Sequence, residues 1–234
     1  MNKIRLDKQE AFFDCSEHQY NTDLIINPPF HTKNEISIII ERLKRAGIEK
    51  NISDFGSGSG RVTIPLLKQN FSVLAVDIST KSLENLKKIA KSLSLKGLET
   101  THNLPKGKKF KAIVGADILH HISIDTYLPM FYESLEEGGR VIFSEPGAFN
   151  ISWYIYLPLV ADWEVERGVM RCSYHRLKTS FEKYGFRNVQ VMGLGLFPRP
   201  FLNFSKRLCL LNDRIGNLPF LRLFAYRYIV YARK

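Results

Sequence analysis

Three features of this 234-residue sequence predict an α/β fold built on a mostly parallel sheet. Short apolar runs alternate with amphipathic ones in the order βαβαβ…βαβ, which implies parallel strands joined by right-handed crossovers. The first strand passes straight into Asp54-Phe55-Gly56-Ser57-Gly58-Ser59-Gly60, a glycine-rich turn that opens a helix. A hydrophobic content of 44% with 24% charged residues is that of a globular chain, long enough for one domain with a well-buried core.

Each element follows from local pattern. Residues 5–22 read as an amphipathic helix, broken by Asn27-Pro28-Pro29. A second helix, Thr32 to Ala46, sets Ile36, Ile39, Ile40 and Leu43 on one face and stops at Gly47. Strand 51–54 leads through the glycine turn to a helix over 61–69. Strand 72–77 follows, then a helix over 80–92 with Leu83, Leu86, Ile89 and Ala90 at helical spacing. A short strand at 98–101, a longer one at 111–116, a helix over 124–136 and a strand at 140–145 complete the run. The last of these is entered through Gly138-Gly139. Beyond Gly147 the pattern loosens into a helix over 173–184, a strand at 186–192 and a final strand at 228–232. Between these two strands, Phe201, Phe204, Leu208, Leu211 and Ile215 recur at 3-4-3-4 spacing, predicting one helix from Pro200 to Ile215 that stops at Gly216.

Charge is placed unevenly. The net charge is +11, from 34 basic and 23 acidic residues. Residues 1–166 hold 20 of the basic and 21 of the acidic ones, leaving 14 basic and 2 acidic residues in 167–234. A neutral core thus carries a basic C-terminal third, suited to an anionic partner such as a phosphate-bearing molecule or a membrane surface. Nucleic acid fits less well, because this third is strongly apolar and lacks an RNA-binding motif. The cysteines (Cys15, Cys172, Cys209) show no paired spacing, which points to a reducing cytoplasm and away from a disulfide framework or a metal site. No signal peptide is visible, and the longest apolar run, Ile151 to Val160, is too short to span a bilayer.

The glycine turn points to a ligand. Glycines let the backbone approach it closely, and the following helix offers free N–H groups, as a nucleoside-bearing cofactor requires. A dinucleotide fingerprint would place glycine or alanine where Arg61 stands, which argues against a nicotinamide cofactor. The acidic residue two before Gly56 and the glycine at 60 resemble motif I of the class I S-adenosylmethionine (SAM) methyltransferases. Further stations match that family in order. Asp77, ending the second strand, resembles its ribose-binding acid, whose two oxygens suit a vicinal diol. Asp117-Ile118-Leu119-His120-His121 resembles the motif after strand four, and Leu135 to Pro146 its Gly-Gly turn into strand five.

This resemblance implies a three-layer Rossmann-like sandwich with a seven-stranded, mostly parallel sheet and an antiparallel last strand. It implies one domain over 1–234, with a helical cap (1–47), a SAM-binding core (48–147) and substrate-side insertions at 148–172 and 197–225. It implies S-adenosyl-L-methionine as cofactor, contacted by Asp54, Gly56, Ser57, Gly58 and Gly60 of motif I and by Asp77 and Ile78. Thr100 stands near the adenine position, where the family often carries Asp before a Leu-Pro like Leu104-Pro105. Asp117 and Ile118 line the methionine end, and Tyr20 caps the cofactor from the N-terminal helix.

Methyl transfer to oxygen often needs a general base. The candidates are His121 and His120, beyond strand four, and Glu145, which ends strand five; His175 lies outside the core. The acceptor expected is a small or lipid-like molecule, with O-methylation favoured and attachment to an anionic membrane surface in addition. The apolar stripe at 201–215 reads first as core packing, and otherwise as a surface presenting an acyl, prenyl or aromatic substrate. The competing reading is a non-catalytic SAM-binding module whose basic, apolar tail docks a membrane or protein partner.

Overall fold

Seven short apolar runs become strands: β1 (Ile52–Phe55), β2 (Val73–Val76), β3 (Leu98–Thr101), β4 (Phe110–Ala116), β5 (Leu135–Pro146), β6 (Arg187–Leu194) and β7 (Arg227–Arg233). The amphipathic runs become helices α1 (Thr22–Ile26), α2 (Phe30–Arg45), α3 (Thr63–Lys68), α4 (Thr80–Ser92), α5 (Ile124–Ser134), α6 (Ile151–Val160), α7 (Trp163–Glu166), α8 (Tyr174–Lys183) and α9 (Lys206–Gly216). The computed structural model describes residues 22–160 and 163–234. The sheet order is β3-β2-β1-β4-β5-β7-β6. The first five strands pair in parallel, and β7 inserts antiparallel between β5 and β6. This is the mostly parallel, seven-stranded sandwich expected from the sequence.

Alternation along each strand feeds two cores. Val73, Ala75, Ala112, Val114 and Ile142 pack with Ile39 and Leu43 of α2, Ile64 of α3, and Leu86 and Ile89 of α4. Their neighbours Leu74, Val76, Ile113, Val141 and Phe143 pack with Leu128 and Phe131 of α5 and Leu177 and Phe181 of α8. The sheet is therefore covered on both faces, as a parallel sheet requires.

Two elements differ from expectation. Leu135 pairs with Phe110 ahead of a register shift, so β5 begins at the residue where a helix was predicted to continue. The stretch from Pro200 to Ile215 is not one helix: a 3-10 turn (Arg199–Leu202) precedes α9, and Ser205 sits extended between them. Its hydroxyl accepts the Leu208 N–H and caps α9. The stripe then faces outward. Phe201 and Phe204 are 75% and 79% exposed, Leu208 and Leu211 are exposed as well, and the buried face of α9 carries Cys209, Asn212 and Asp213.

What lies under that buried face explains the inversion. Glu35 of α2 is fully buried and accepts from Arg61 Nη2 (2.8 Å), Ser144 Oγ (2.7 Å) and Arg199 Nη1 (3.1 Å), with Arg227 Nε at 3.3 Å. Arg199, also fully buried, forks onto both oxygens of Asp213 at 2.8 and 3.0 Å. Asp213 in turn accepts from Asn34 at 2.8 Å, while Arg61 and Arg227 both pair with Asp117. Three carboxylates meet three guanidiniums, and the cluster is neutral. Burial would raise the Glu35 carboxyl, but Arg227, Arg61 and Arg199 outweigh it and hold it below its ordinary range. Removing one partner from such a cluster strands buried charge. Glu35→Ala should accordingly cost about 3–5 kcal/mol in urea unfolding, read at constant m-value. A loss below about 1 kcal/mol, the scale of an exposed ion pair, would show that the cluster does not hold the fold.

Candidate active site

The glycine turn crosses the ends of β1 and β2. Gly56 and Ser57 N–H groups donate to the Val76 carbonyl at 2.8 and 3.1 Å, which closes the turn over β2. Asp77 then stands at the rim. Its two oxygens accept the Gly58 N–H (2.7 Å) and the Ser79 N–H (2.9 Å), so the carboxylate is fixed while each oxygen keeps acceptor capacity for a diol. Gly58 has φ +51, and a Cβ there would meet nothing within 4 Å; the turn faces open space at this point. At Gly56 a Cβ would run into Ile118 at 2.5 Å, so Ile118 roofs the turn from the β4 side.

Ile78 is 36% exposed beside Asp77, an apolar surface on which a planar base could lie. Thr100 is half-buried in edge strand β3 and pairs with Ala75. The neighbouring backbone reaches Asp77 instead: the Thr101 carbonyl accepts the Asp77 N–H at 3.2 Å, and His102 Nδ1 lies 3.2 Å from the Asp77 carbonyl. Nothing in the sequence singled out His102, since its place depends on where β3 ends. Tyr20 lies outside the described residues.

The turn also holds buried polar atoms that have no hydrogen-bond partner among the described residues: Ser57 Oγ, Ser59 Oγ and Asp54 Oδ1. Unsatisfied buried groups are rare in folded proteins and here line a ligand cradle. Together with the held diol acceptor at Asp77, they fit a polar nucleoside cofactor such as SAM. Asp54 itself accepts from Thr63 Oγ1 at 2.5 Å, on the α2–α4 side of the sheet. Burial, joined by the charge of Asp77 and opposed by the Thr63 bond, pushes its carboxyl up to about 7.

The edge after β4 is organised differently from expectation. Asp117, at φ +57, was assigned to the cofactor, but its carboxylate pairs with Arg61 and with Arg227 Nη2 (2.6 Å). Burial would raise it; the two guanidiniums prevail and hold it well below the usual carboxylate range. Arg61, which the sequence offered only as an argument against a dinucleotide, is thus the bridge from the glycine turn to Glu35 and Asp117.

Glu145 is fully buried on the opposite face. It accepts the N–H groups of Ile118 (2.9 Å) and Leu119 (2.8 Å) and pairs with His120 Nδ1 at 2.7 Å, so it holds the post-β4 turn rather than facing open space. His120 Nε2 lies 3.3 Å from Glu166. Burial alone would lower this imidazole, but bonds to Glu145 and Glu166 overcome that and raise it to about 10. Held protonated, His120 is no proton acceptor at neutral pH. His121 is also buried, its ring 3.9 Å from that of His120 and its Nε2 3.9 Å from Glu166. Glu166 was not among the predicted residues, because it comes from a stretch more than forty positions away without a motif. His175 is exposed on α8, as expected of a surface residue.

Two outcomes follow. Asp77→Ala should weaken SAM binding at least tenfold in calorimetric titration, since it removes the diol acceptor; unchanged affinity would place the ribose elsewhere. Asp54 ionises near pH 7 when folded but near 4 when unfolded, so the folded chain keeps a proton that the unfolded chain has lost between those limits. Its contribution to stability therefore falls as pH rises through that window, by up to about 1.4 kcal/mol per unit. Asp54→Asn should gain stability relative to wild type from pH 5 to 7 in paired urea melts, and parallel profiles would contradict the assignment.

Comparison with known proteins places this geometry. A family model described as a methyltransferase domain matches residues 31–191. A curated relative, the ubiquinone biosynthesis O-methyltransferase of Pelagibacter ubique (strain HTCC1062), is 27% identical over 154 residues, covering 59% of this chain. The match spans 64% of that relative's length. Among solved structures, a SAM-dependent methyltransferase from Thermotoga maritima, described as a possible histamine N-methyltransferase, superposes with TM-score 0.66 at 15% identity, covering 96% of this chain and 99% of that one. Magnesium protoporphyrin IX methyltransferase from Synechocystis PCC 6803, with SAM bound, superposes with TM-score 0.61 at 15% identity over the whole of both chains. With the family model spanning well over half of its length, this chain belongs to the methyltransferase domain family.

Proposed function

We propose that this chain transfers a methyl group from SAM to a hydroxyl of a small, lipid-like acceptor that reaches it from an anionic membrane surface. SAM supplies a methyl group already activated on a sulfonium. The protein's part is to hold the cofactor through Asp77 and the glycine turn, to align the acceptor, and to exclude water. Oxygen as the accepting atom is supported by the O-methyltransferase relative. Activation of that oxygen is assigned to His121 and Glu166, because Glu145 is committed to backbone amides and His120 is held protonated.

The observation that carries the acceptor class is the outward apolar surface of the two insertions. Phe201, Phe204 and Phe220 are exposed, as are Ile151, Ile155 and Tyr156 on α6. Phe149, Ile151, Leu196, Phe197 and Phe224 line a groove of about 310 Å³ beside the end of β5. A larger depression of about 490 Å³, lined by Arg187, Arg233 and Lys234, opens at the opposite edge of the sheet, away from the glycine turn. Exposed Lys206, Arg207 and Arg214 flank the apolar positions of α9. Large apolar side chains beside cations suit the headgroup layer of an anionic bilayer. No helix among the described residues is long and apolar enough to cross a membrane, so the contact proposed is peripheral.

Labelled SAM incubated with the protein and a membrane-lipid extract should yield a labelled, base-stable ether in the organic phase. Flotation with phosphatidylserine vesicles should carry the wild type at low salt and release much of it at high salt. The double variant Phe201→Ser, Phe204→Ser should bind about a hundredfold more weakly or worse, since each buried Phe contributes about 1.5–3 kcal/mol. Binding indifferent to both salt and the substitutions would remove the membrane part of the proposal.

A further inference from the structure

We propose that His120, His121 and Glu166 form a binding site for a divalent transition-metal ion of the zinc type. Metal–donor bonds of about 2.0–2.2 Å place adjacent tetrahedral donors roughly 3.3–3.5 Å apart. His120 Nε2 lies 3.3 Å from Glu166 Oε2 and His121 Nε2 lies 3.9 Å from Glu166 Oε1, and one donor atom from each of the three residues lies within 4.8 Å of the others. Two imidazoles and one carboxylate are a donor set that zinc-type ions favour over magnesium or calcium. Three protein donors leave a coordination position for the oxygen of a water or an acceptor.

The surroundings are those of a built site. Glu145 pairs with His120 Nδ1 at 2.7 Å, which leaves Nε2 as the metal-facing nitrogen, the carboxylate–histidine arrangement that orients metal ligands. Glu145 is itself fastened by two backbone amides, so the His120 ring is held from behind. The third donor is held by the backbone. A Cβ on Gly168 would lie 1.7 Å from the His120 carbonyl oxygen, so the chain two residues beyond Glu166 is pressed directly onto the histidine segment. Charge also fits. Glu145 and Glu166 bring two negative charges to a largely buried place, and a divalent cation that displaces the proton from His120 Nε2 balances both. The adjoining group of His120, Glu145 and Cys172 is the poorer candidate: burial and the Glu145 charge push the Cys172 thiol well up, and Glu145 is committed to the turn.

This assignment shares residues with the proposed oxygen-activating group but does not rest on methyl transfer, and its test reads bound metal instead. The full chain, expressed with added zinc and dialysed against metal-free buffer, should retain close to one zinc per chain by elemental mass spectrometry. Stripped protein titrated with cobalt(II) should develop the visible ligand-field bands of four-coordinate nitrogen–oxygen ligation. Glu166→Gln and His121→Ala should each weaken metal binding at least tenfold, while far-UV circular dichroism shows that both variants remain folded. Wild-type protein that retains no zinc and shows no cobalt bands overturns the site, as does a Glu166→Gln protein that binds either metal as tightly as wild type. A chain that binds zinc but not SAM would leave the site standing and sink the methyltransferase reading instead.

Discussion

A carboxylate with no access to water decides the shape of the transfer edge. Glu35 is held by Arg61, Arg199, Arg227 and Ser144, and each comes from a different segment: the glycine turn, the second insertion, β7 and β5. An isolated buried charge would cost several kcal/mol, so each segment is constrained to deliver its partner. Arg199, which donates to Glu35, is held from its other side by Asp213, offered by the polar side that α9 turns inward. The same rotation leaves Leu208 and Leu211 outside. The exposed apolar surface of the insertion is thus a consequence of the ion cluster beneath it.

The sheet was legible because its signals are local. Apolar runs such as Val73–Val76, and the glycine turn between β1 and α3, carry their meaning within a few residues. The ion cluster was not legible. Glu35 and Arg199 are 164 positions apart, and no spacing rule links them. The apolar spacing at 201–215 was misleading for a related reason: periodicity shows that a helix has two faces but not which one is buried, and a buried carboxylate overrode the usual choice. Asp117 illustrates the same limit. Its motif position suggested a ligand contact, whereas Arg61 and Arg227 claim its carboxylate.

Consecutive residues of β5 divide the work at the active edge. Ser144 points to the α2 side and donates to Glu35; Glu145 points to the α5 side and fastens the post-β4 turn with its histidine. The Asp117 N–H donates to the Ser144 carbonyl, tying the two arrangements together through the backbone. Strand alternation thereby fixes both sides of the edge from a single strand. A shift of β5 by one residue would put Glu145 or Phe143 in the place of Ser144, and Pro146 or Ser144 in the place of Glu145, breaking both arrangements.

That rigidity bears on where acceptor specificity resides. The cradle around Asp77 is held by backbone N–H groups and the β4–β5 edge by buried charge, so neither can reshape itself for a new acceptor without losing stability. The first insertion is bound to the core more sparingly than the second, which delivers Arg199: Trp153 of α6 donates to the Tyr226 carbonyl at 2.7 Å and stacks on its ring, while Ile151, Ile155 and Tyr156 stay exposed. Substitutions at Ile151 and Ile155 remove side chains that face outward and leave the cofactor's supports in place. On the proposed reading, in which the acceptor meets these exposed positions, acceptor choice can drift there while cofactor binding persists, a division of labour consistent with a common fold serving many activities.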